Sequence, residues 1–234
     1  MNDEKKISFP IHLPGWLEEI IGHNHTPPLE LVQFGTFLHQ QKLIKISLEG
    51  LPGGGKSSIV KHFRQYDTID CFNQFETSID SSSFDQVQYI RNDIVKSHLA
   101  QASKKRFVLS DRDFLSTLAF LYATSSMNKD HAYEILNEYY SMLLGRDLVL
   151  ADIYIYLKVP QDQALIRKNR IANSESVWCN LDFLNRMSDF YDQVFDKLQH
   201  LSFVIVIDTN STSLSQAITK ITNIIKSIGV MLMT

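Results

Sequence analysis

The sequence predicts a three-layer α/β fold, in which a parallel sheet of five strands is flanked by helices. Short apolar runs are separated by longer stretches with a helical pattern of apolar residues, and this alternation is typical of a parallel sheet. The expected strands lie near residues 43–48, 68–72, 106–110, 153–158 and 203–207. Runs such as FVIVI at 203–207 are apolar throughout, as strands must be when helices cover both faces of a sheet.

The helices between these strands are predicted from periodic apolar residues. Their expected ranges are Ser57 to Arg64, Phe84 to Gln101, Phe114 to Ala123, His131 to Gly145, Leu181 to Leu201 and Ser213 to Ile228. Residues 1–41 precede the first predicted strand and contain four of the six prolines. We therefore assign residues 1–41 to an N-terminal helical extension, either docked on the main domain or serving as a lid or partner-binding element, and residues 42–234 to that domain.

Composition excludes several function classes. The chain has 23 Lys and Arg against 26 Asp and Glu, so it lacks the positive charge that extended nucleic acid requires. Cys71 and Cys179 form no CxxC pair and are expected to be reduced. The sequence shows neither a stretch of membrane-spanning length nor a metal-binding Cys/His cluster. We expect a cytoplasmic protein without a structural metal, whose ligands are small molecules.

The strongest motif is GLPGGGKS at residues 50–57, which satisfies GxxxxGK[ST] and lies between a predicted strand and a predicted helix. Glycines let such a loop curl so that its N–H groups cradle phosphate oxygens, whereas a chance glycine-rich turn is the alternative. We expect Lys56 to reach the β and γ phosphates of ATP, and Ser57 to bind Mg²⁺. The candidate nucleotide-binding residues here are Gly50, Gly53, Gly54, Gly55, Lys56, Ser57 and Ser58.

A second motif begins at the end of the third predicted strand, where Asp111 and Arg112 lie at a carboxyl strand end. Open α/β sheets bind their ligands at such ends. Asp111 is a candidate to bind Mg²⁺ or orient the attacking oxygen, and Arg112 to bind an anionic acceptor through its fork of donors. The pair could equally cap the next helix. Because Arg112 stands where motor ATPases carry a second carboxylate, the motif favours a kinase over a motor protein.

The motif DRDFLSTLAF at 111–120 is similar to the DRYxxSxxAF motif of thymidylate kinases, and Arg91 precedes it by 20 residues, as the base-contacting Arg does in that family. The segment 151–170 resembles the family's fourth strand and the start of its lid, and DFLNRMSDFY at 182–191 resembles the helix that follows. The resemblance covers about residues 42–228. It implies a P-loop kinase that transfers the γ-phosphoryl group of ATP, with Mg²⁺, to a (deoxy)nucleoside monophosphate.

The resemblance also implies roles for individual residues. Arg91 would contact the acceptor together with Arg112, and Thr209 would lie beside the adenine of ATP. A lid near residues 164–178 would bring Arg167 or Arg170 over the phosphates, where a guanidinium stabilises the charge of the transferred group and helps to exclude water. Members of the family often dimerise through helices, so the resemblance implies a homodimer.

The acceptor side departs from the thymidylate kinase pattern. No Arg occupies residues 73–77, where that family carries the Arg that clamps the acceptor phosphate. Glu76 instead resembles the general-base Glu of deoxynucleoside kinases, so either Glu76 or Asp111 would orient or deprotonate the acceptor. The longer match favours a monophosphate over a nucleoside, with another small hydroxyl or phosphate compound as the third choice. A regulator that binds nucleotide without turnover also stays open.

Overall fold

The computed structural model describes residues 42–80, 86–124, 138–139, 141–142, 145–169, 177–198 and 202–231. Several features predicted from the sequence lie outside these ranges. They are the extension 1–41, Phe84, Arg170 and most of the helix expected from His131 to Gly145.

The described residues form one parallel sheet of five strands, and this confirms the predicted fold class. The strands are β1 (Ile44–Glu49), β2 (Ile69–Phe72), β3 (Phe107–Asp111), β4 (Ile153–Lys158) and β5 (Phe203–Asp208). Their order across the sheet is β2-β3-β1-β4-β5, and all neighbours pair in parallel. Each predicted strand is found within one residue of its expected bounds.

Six α-helices cover the sheet within the described ranges. They are α1 (Lys56–Phe63), α2 (Gln86–Ala102), α3 (Phe114–Thr124), α4 (Gln161–Asn169), α5 (Leu181–Leu198) and α6 (Leu214–Met231), with a 3-10 helix at Val177–Cys179. The predicted helices did not include α4. In α4 Ala164 is fully buried while the larger Ile166 is 46% exposed, so its apolar residues do not mark the buried face.

The core lies in two layers, one on each face of the sheet. Tyr154 and Tyr156 of β4 pack with α3 and α5 on one face, whereas Ile153 and Ile155 pack with α1 and α6 on the other. Alternate side chains of a strand point to opposite faces, so a central strand contributes to both layers. All six residues of β1 are buried, including Glu49 at its carboxyl end.

The sheet order brings two loops together. Because β1 pairs with β3, with Leu48 opposite Asp111, the loop after β1 and the turn after β3 emerge side by side. The carboxyl end of β4 lies on the other side of β1. No helix within the described ranges is long and apolar enough to cross a membrane.

Candidate active site

The loop that follows β1 has the backbone shape of a phosphate cradle. Gly50, Gly53 and Gly55 have φ values of 126°, 79° and 91°, which side chains with a Cβ rarely adopt. A Cβ on Gly50 would lie 2.5 Å from the carbonyl oxygen of Leu157. Gly55 is the N-cap residue of α1 and has no side chain to cap the helix. The first N–H groups of that helix are therefore available to an anion.

The other predicted residues of this loop differ in how far they are exposed to solvent. Gly54 is buried, while Ser57 and Ser58 are exposed in the first turn of α1. Lys56 is only 5% exposed, and its Nζ donates to the carbonyl oxygens of Gly50 (2.8 Å) and Leu51 (2.7 Å). Its ammonium group therefore lies within the curl of the loop.

Two positive charges meet at this loop. Burial, and next the positive charge of Arg112, lower the pKa of Lys56 well below its usual value, while Asp111 and Glu49 oppose that shift. A bound polyphosphate would supply negative charge beside both cations, and would favour the charged form of the lysine.

Arg112 connects the loop to the neighbouring turn. Its Nη1 donates to the carbonyl oxygen of Gly50 (3.2 Å) and to Ser116 Oγ (3.1 Å), and its φ of 69° is unusual for a residue with a side chain. The Nε of Arg112 is buried without a hydrogen-bond partner. An unpaired buried donor is costly, and an anionic or hydroxyl oxygen of a ligand would satisfy it.

Asp111 and Ser57 are the predicted Mg²⁺ ligands. Asp111 is 2% exposed, and its Oδ1 is buried without a hydrogen-bond partner. Within the described ranges, no group of three or more His, Cys, Asp or Glu could hold a metal ion. The unpaired Oδ1 of Asp111 fits Mg²⁺, which takes one or two protein oxygens and completes its coordination with phosphates and water.

Lys96, on α2, is a part of the site that was not among the predicted site residues. Its Nζ donates to the carbonyl oxygens of Asp111 and Arg112 (2.8 Å each) and of Gln74 (3.4 Å). Burial lowers the pKa of Lys96 to about 8, against the opposing effect of nearby carboxylates, first Asp93. This one ammonium group thus links α2 to the turn after β3 and to the loop after β2.

The loop after β2 carries Glu76. Asn92 Oδ1 accepts the N–H of Glu76 (2.8 Å), and Glu76 Oε1 accepts the N–H of Asn73 (2.5 Å). Glu76 is half-buried and Arg91 is exposed. Neither is among the described residues that line the neighbouring cavity, although Gln74 and Phe75 are. The structure therefore leaves these two predicted acceptor residues out of the described cavity lining.

That cavity has a volume of about 700 Å³, and Arg112 is one of its lining residues. Its described aromatic lining residues are Phe75, Tyr89, Phe120, Trp178 and Phe183. Trp178 is partly buried against the core and also lines the cavity, and its ring centroid lies 5.5 Å from that of Phe120 and 5.3 Å from that of Phe183. The size and the flat apolar walls suit a planar organic ligand.

The charged side chains of the cavity are balanced. Among the described lining residues, the cations Lys96, Arg112 and Arg186 match the carboxylates Asp93, Asp113 and Asp182. Asp93 Oδ2 accepts hydrogen bonds from Thr117 Oγ1 and Tyr139 OH, both at 2.7 Å. Burial raises the pKa of Asp93 to about 6 despite these bonds.

Arg167 bridges α4 and the loop after β1. Its Nη1 donates to the carbonyl oxygen of Gly53 (3.2 Å) and to Thr209 Oγ1 (3.3 Å), and its Nη2 to the carbonyl oxygen of Thr209 (3.0 Å). Arg167 thus joins α4, the phosphate loop and the segment after β5. Arg170 lies outside the described residues.

Glu49 is the second residue that the sequence analysis missed. It is fully buried and directly precedes Gly50, and its carboxyl group accepts the N–H of Asp113 (2.7 Å) and the hydroxyl of Ser116 (2.5 Å). Burial and the neighbouring Asp113 raise its pKa to about 8. A carboxyl group directly between a strand predicted to be covered on both faces and the glycine-rich loop was the signal that could have identified it.

Comparisons with known proteins agree with this fold. A family model described as deoxynucleoside kinase matches residues 46–233. A deoxyadenosine kinase from M. mycoides, solved with dCMP and dCDP, is 21% identical, with a TM-score of 0.60 over 79% of this chain and 100% of that chain. A thymidylate kinase from Candida albicans is 16% identical, with a TM-score of 0.57 over 80% of this chain and 92% of that chain. No curated protein sequence matches.

Proposed function

The chain belongs to the deoxynucleoside kinase family, and on that premise we propose that it transfers the γ-phosphoryl group of ATP to the hydroxyl group of a (deoxy)nucleoside. The observation that carries the choice of acceptor is the charge balance of the aromatic cavity beside Arg112. We place the kinase domain at residues 42–234 and its lid near residues 164–178. A cytoplasmic location and a homodimer stay predictions from the sequence.

A nucleoside suits this cavity better than a monophosphate does. A monophosphate brings about two negative charges near neutral pH. The described walls offer no surplus of cations to meet them, because three positive side chains face three negative ones. Lys96 is moreover occupied by three carbonyl oxygens. A nucleoside asks only for flat apolar walls around its base and a few hydrogen bonds, which these residues supply.

The proposed step is an in-line displacement at the γ-phosphorus. The acceptor hydroxyl oxygen forms a bond to phosphorus, the bond from phosphorus to the β,γ-bridging oxygen breaks, and ADP leaves with that oxygen. The loop N–H groups and Lys56 hold the phosphates, while Arg112 and Arg167 offer guanidiniums to the developing charge. Mg²⁺ held by Ser57 and Asp111 would neutralise phosphate charge. The catalytic contribution of the protein is mainly positioning.

The hydroxyl proton needs an acceptor, and Glu76 is the better candidate. Asp111 has a buried oxygen that suits a metal, and a carboxylate that binds Mg²⁺ is a poorer base. Glu76 is half-buried and follows Gln74 and Phe75, which line the cavity, in a loop that Asn92 fixes to α2. We therefore propose Glu76 as the general base.

A monophosphate acceptor is the second candidate. The unpaired Nε of Arg112 favours it, because a phosphate oxygen would satisfy that donor. The thymidylate kinase resemblance of residues 111–120 points the same way. Under this alternative, Arg112 would bind the acceptor phosphate directly.

A steady-state assay of ADP release distinguishes the two acceptors. Purified protein is supplied with ATP and Mg²⁺, and kcat/KM is measured for each nucleoside and for its own 5′-monophosphate. The nucleoside of each pair should be the better substrate, and thymidylate should be poor because no Arg lies at residues 73–77. Higher kcat/KM values for the monophosphates would overturn the proposed acceptor. If ADP is released neither with the nucleosides nor with the monophosphates, the protein does not phosphorylate these acceptors, and the proposal is overturned.

A further inference from the structure

A buried carboxyl group lies where β1 ends and the phosphate loop begins. Glu49 is 0% exposed and immediately precedes Gly50, but it lies outside the cavity lining and has no role in the chemistry described above. Burying an ionisable group costs free energy, and such a group often stabilises a protein no more than an apolar residue of the same size would. Its presence in this strand therefore calls for a reason other than stability.

Four donors from different elements converge on this carboxyl group. Oε1 accepts Ser47 Oγ (2.9 Å) and the N–H of Asp113 (2.7 Å). Oε2 accepts Ser116 Oγ (2.5 Å) and Tyr191 OH (3.3 Å). The bonds thus connect the end of β1 to the turn after β3, to the first turn of α3 and to α5.

One of these donors leads directly to Arg112. The Ser116 hydroxyl donates to Glu49 and accepts a hydrogen bond from Arg112 Nη1 (3.1 Å). The same Nη1 also donates to the carbonyl oxygen of Gly50, the residue after Glu49 (3.2 Å). The guanidinium is therefore held by two groups that are both linked to Glu49. Ser116 Oγ is linked to it by a hydrogen bond, and the carbonyl group of Gly50 by the peptide bond.

The surroundings of Glu49 are rich in charge. The groups that interact with it electrostatically come from α1, α2, α5, β4 and the turn after β3, and they are Lys56, Lys96, Tyr191, Tyr154, Arg112 and Asp113. Oε2 can either accept from Ser116 or, when protonated, donate to it, so the link to Ser116 exists in both protonation states. An amide at this position can form the same link, whereas an aliphatic side chain cannot.

We propose that Glu49 is a positioning residue that, through Ser116, fixes the Arg112 guanidinium between the phosphate loop and the acceptor cavity. This inference rests on the proposed function, since it assumes that Arg112 contacts the transferred phosphoryl group. A guanidinium that is displaced by about 1 Å loses much of its effect on the transition state, while binding of the two substrates is affected far less.

The test is a double-mutant cycle between Glu49→Leu and Ser116→Ala in the full chain. Each change should lower kcat about 100-fold. The double variant should be no worse than the poorer single variant, because both changes break one link. Nucleoside affinity, read from the fluorescence of cavity residue Trp178, and ATP affinity should stay close to wild type. Glu49→Gln and Ser116→Thr retain the hydrogen-bonding groups and should recover most of the lost kcat.

Ser47→Ala is the matched control. It also removes a hydrogen bond to Glu49, but on Oε1 and with no path to Arg112, so its kcat should be close to that of wild type. Three results would each overturn the inference. They are additive losses of kcat in the double variant, a wild-type kcat in Ser116→Ala, and a loss of kcat in Ser47→Ala as large as that in Ser116→Ala. If Glu49→Leu does not fold, the inference is tested by comparing the kcat of Ser116→Ala with the kcat values of Ser116→Thr and Ser47→Ala. A wild-type protein without transferase activity would instead remove the proposed function, and this inference with it.

Discussion

At Arg112 the backbone and the side chain are held by different parts of the fold. The carbonyl oxygen accepts Lys96 Nζ (2.8 Å) and Ser110 Oγ (2.5 Å), and the N–H donates to the carbonyl oxygen of Leu48 (3.0 Å). These bonds hold a φ of 69° that would otherwise be unfavourable for a residue with a side chain. The guanidinium is held separately, by Gly50 and Ser116.

At the same scale, Glu49 makes stability depend on pH. Burial and Asp113 raise its pKa from 4.5 to about 8, so between these pH values the folded protein binds more protons than the unfolded chain. The contribution of Glu49 to the free energy of unfolding is therefore greatest below about pH 4.5 and decreases as pH rises towards 8. Urea unfolding of wild type and Glu49→Gln at several pH values measures this.

The free energy of unfolding of wild type relative to Glu49→Gln should decrease steadily from pH 5 to pH 8. Glu138→Gln, which makes the same chemical change at an exposed position, is the control and should show no such trend. A difference that is constant with pH, or one that increases, would contradict the assignment of a raised pKa to Glu49.

At the scale of elements, the phosphate loop depends on its first glycine. Gly50 combines a φ of 126° with a site where a Cβ would lie 2.5 Å from the Leu157 carbonyl oxygen of β4. Gly50→Ala should therefore lower the free energy of unfolding by about 2 kcal/mol or more. Thermal or urea unfolding checks this.

Gly145→Ala is the matched control for that substitution. Its Cβ would be 3.4 Å from Asp147 Oδ2, which is ordinary contact, so stability should change little. Equal stability of Gly50→Ala and wild type would show that the loop can move away from β4.

The elements themselves were largely predictable, because their signals are local. Apolar runs marked β1, β3, β4 and β5, whereas β2 had only a weak signal in the sequence. The motif at 50–57 marked the phosphate loop and the start of α1. The surroundings of that loop were not predictable. Three of the four donors to Glu49, which are Asp113, Ser116 and Tyr191, lie far along the chain, and only the folded arrangement of sheet and helices brings them together. Lys96 and Trp178 likewise look like ordinary helix and core residues in the sequence.

At the scale of the whole molecule, the sheet order creates the active site. Since β1 lies between β3 and β4, the phosphate loop meets the Arg112 turn on one side and Leu157 on the other. The Arg167 side chain then closes the loop from the side of α4. Under the proposed function, the donor phosphates and the acceptor would lie on opposite sides of the Arg112 guanidinium.

The central claim is transfer of the γ-phosphoryl group of ATP to a nucleoside hydroxyl, and the identity of the product tests it most directly. The protein is incubated with Mg²⁺, ATP radiolabelled on the γ-phosphate and each deoxynucleoside, and the products are separated by chromatography. We expect labelled deoxynucleoside 5′-monophosphate, formed about a thousandfold more slowly by Lys56→Ala and at the wild-type rate by Lys61→Ala, which removes an exposed lysine from the same helix. The account would be contradicted if the label stayed in ATP or appeared only as inorganic phosphate. It would also be contradicted if Lys56→Ala formed the labelled monophosphate at the wild-type rate.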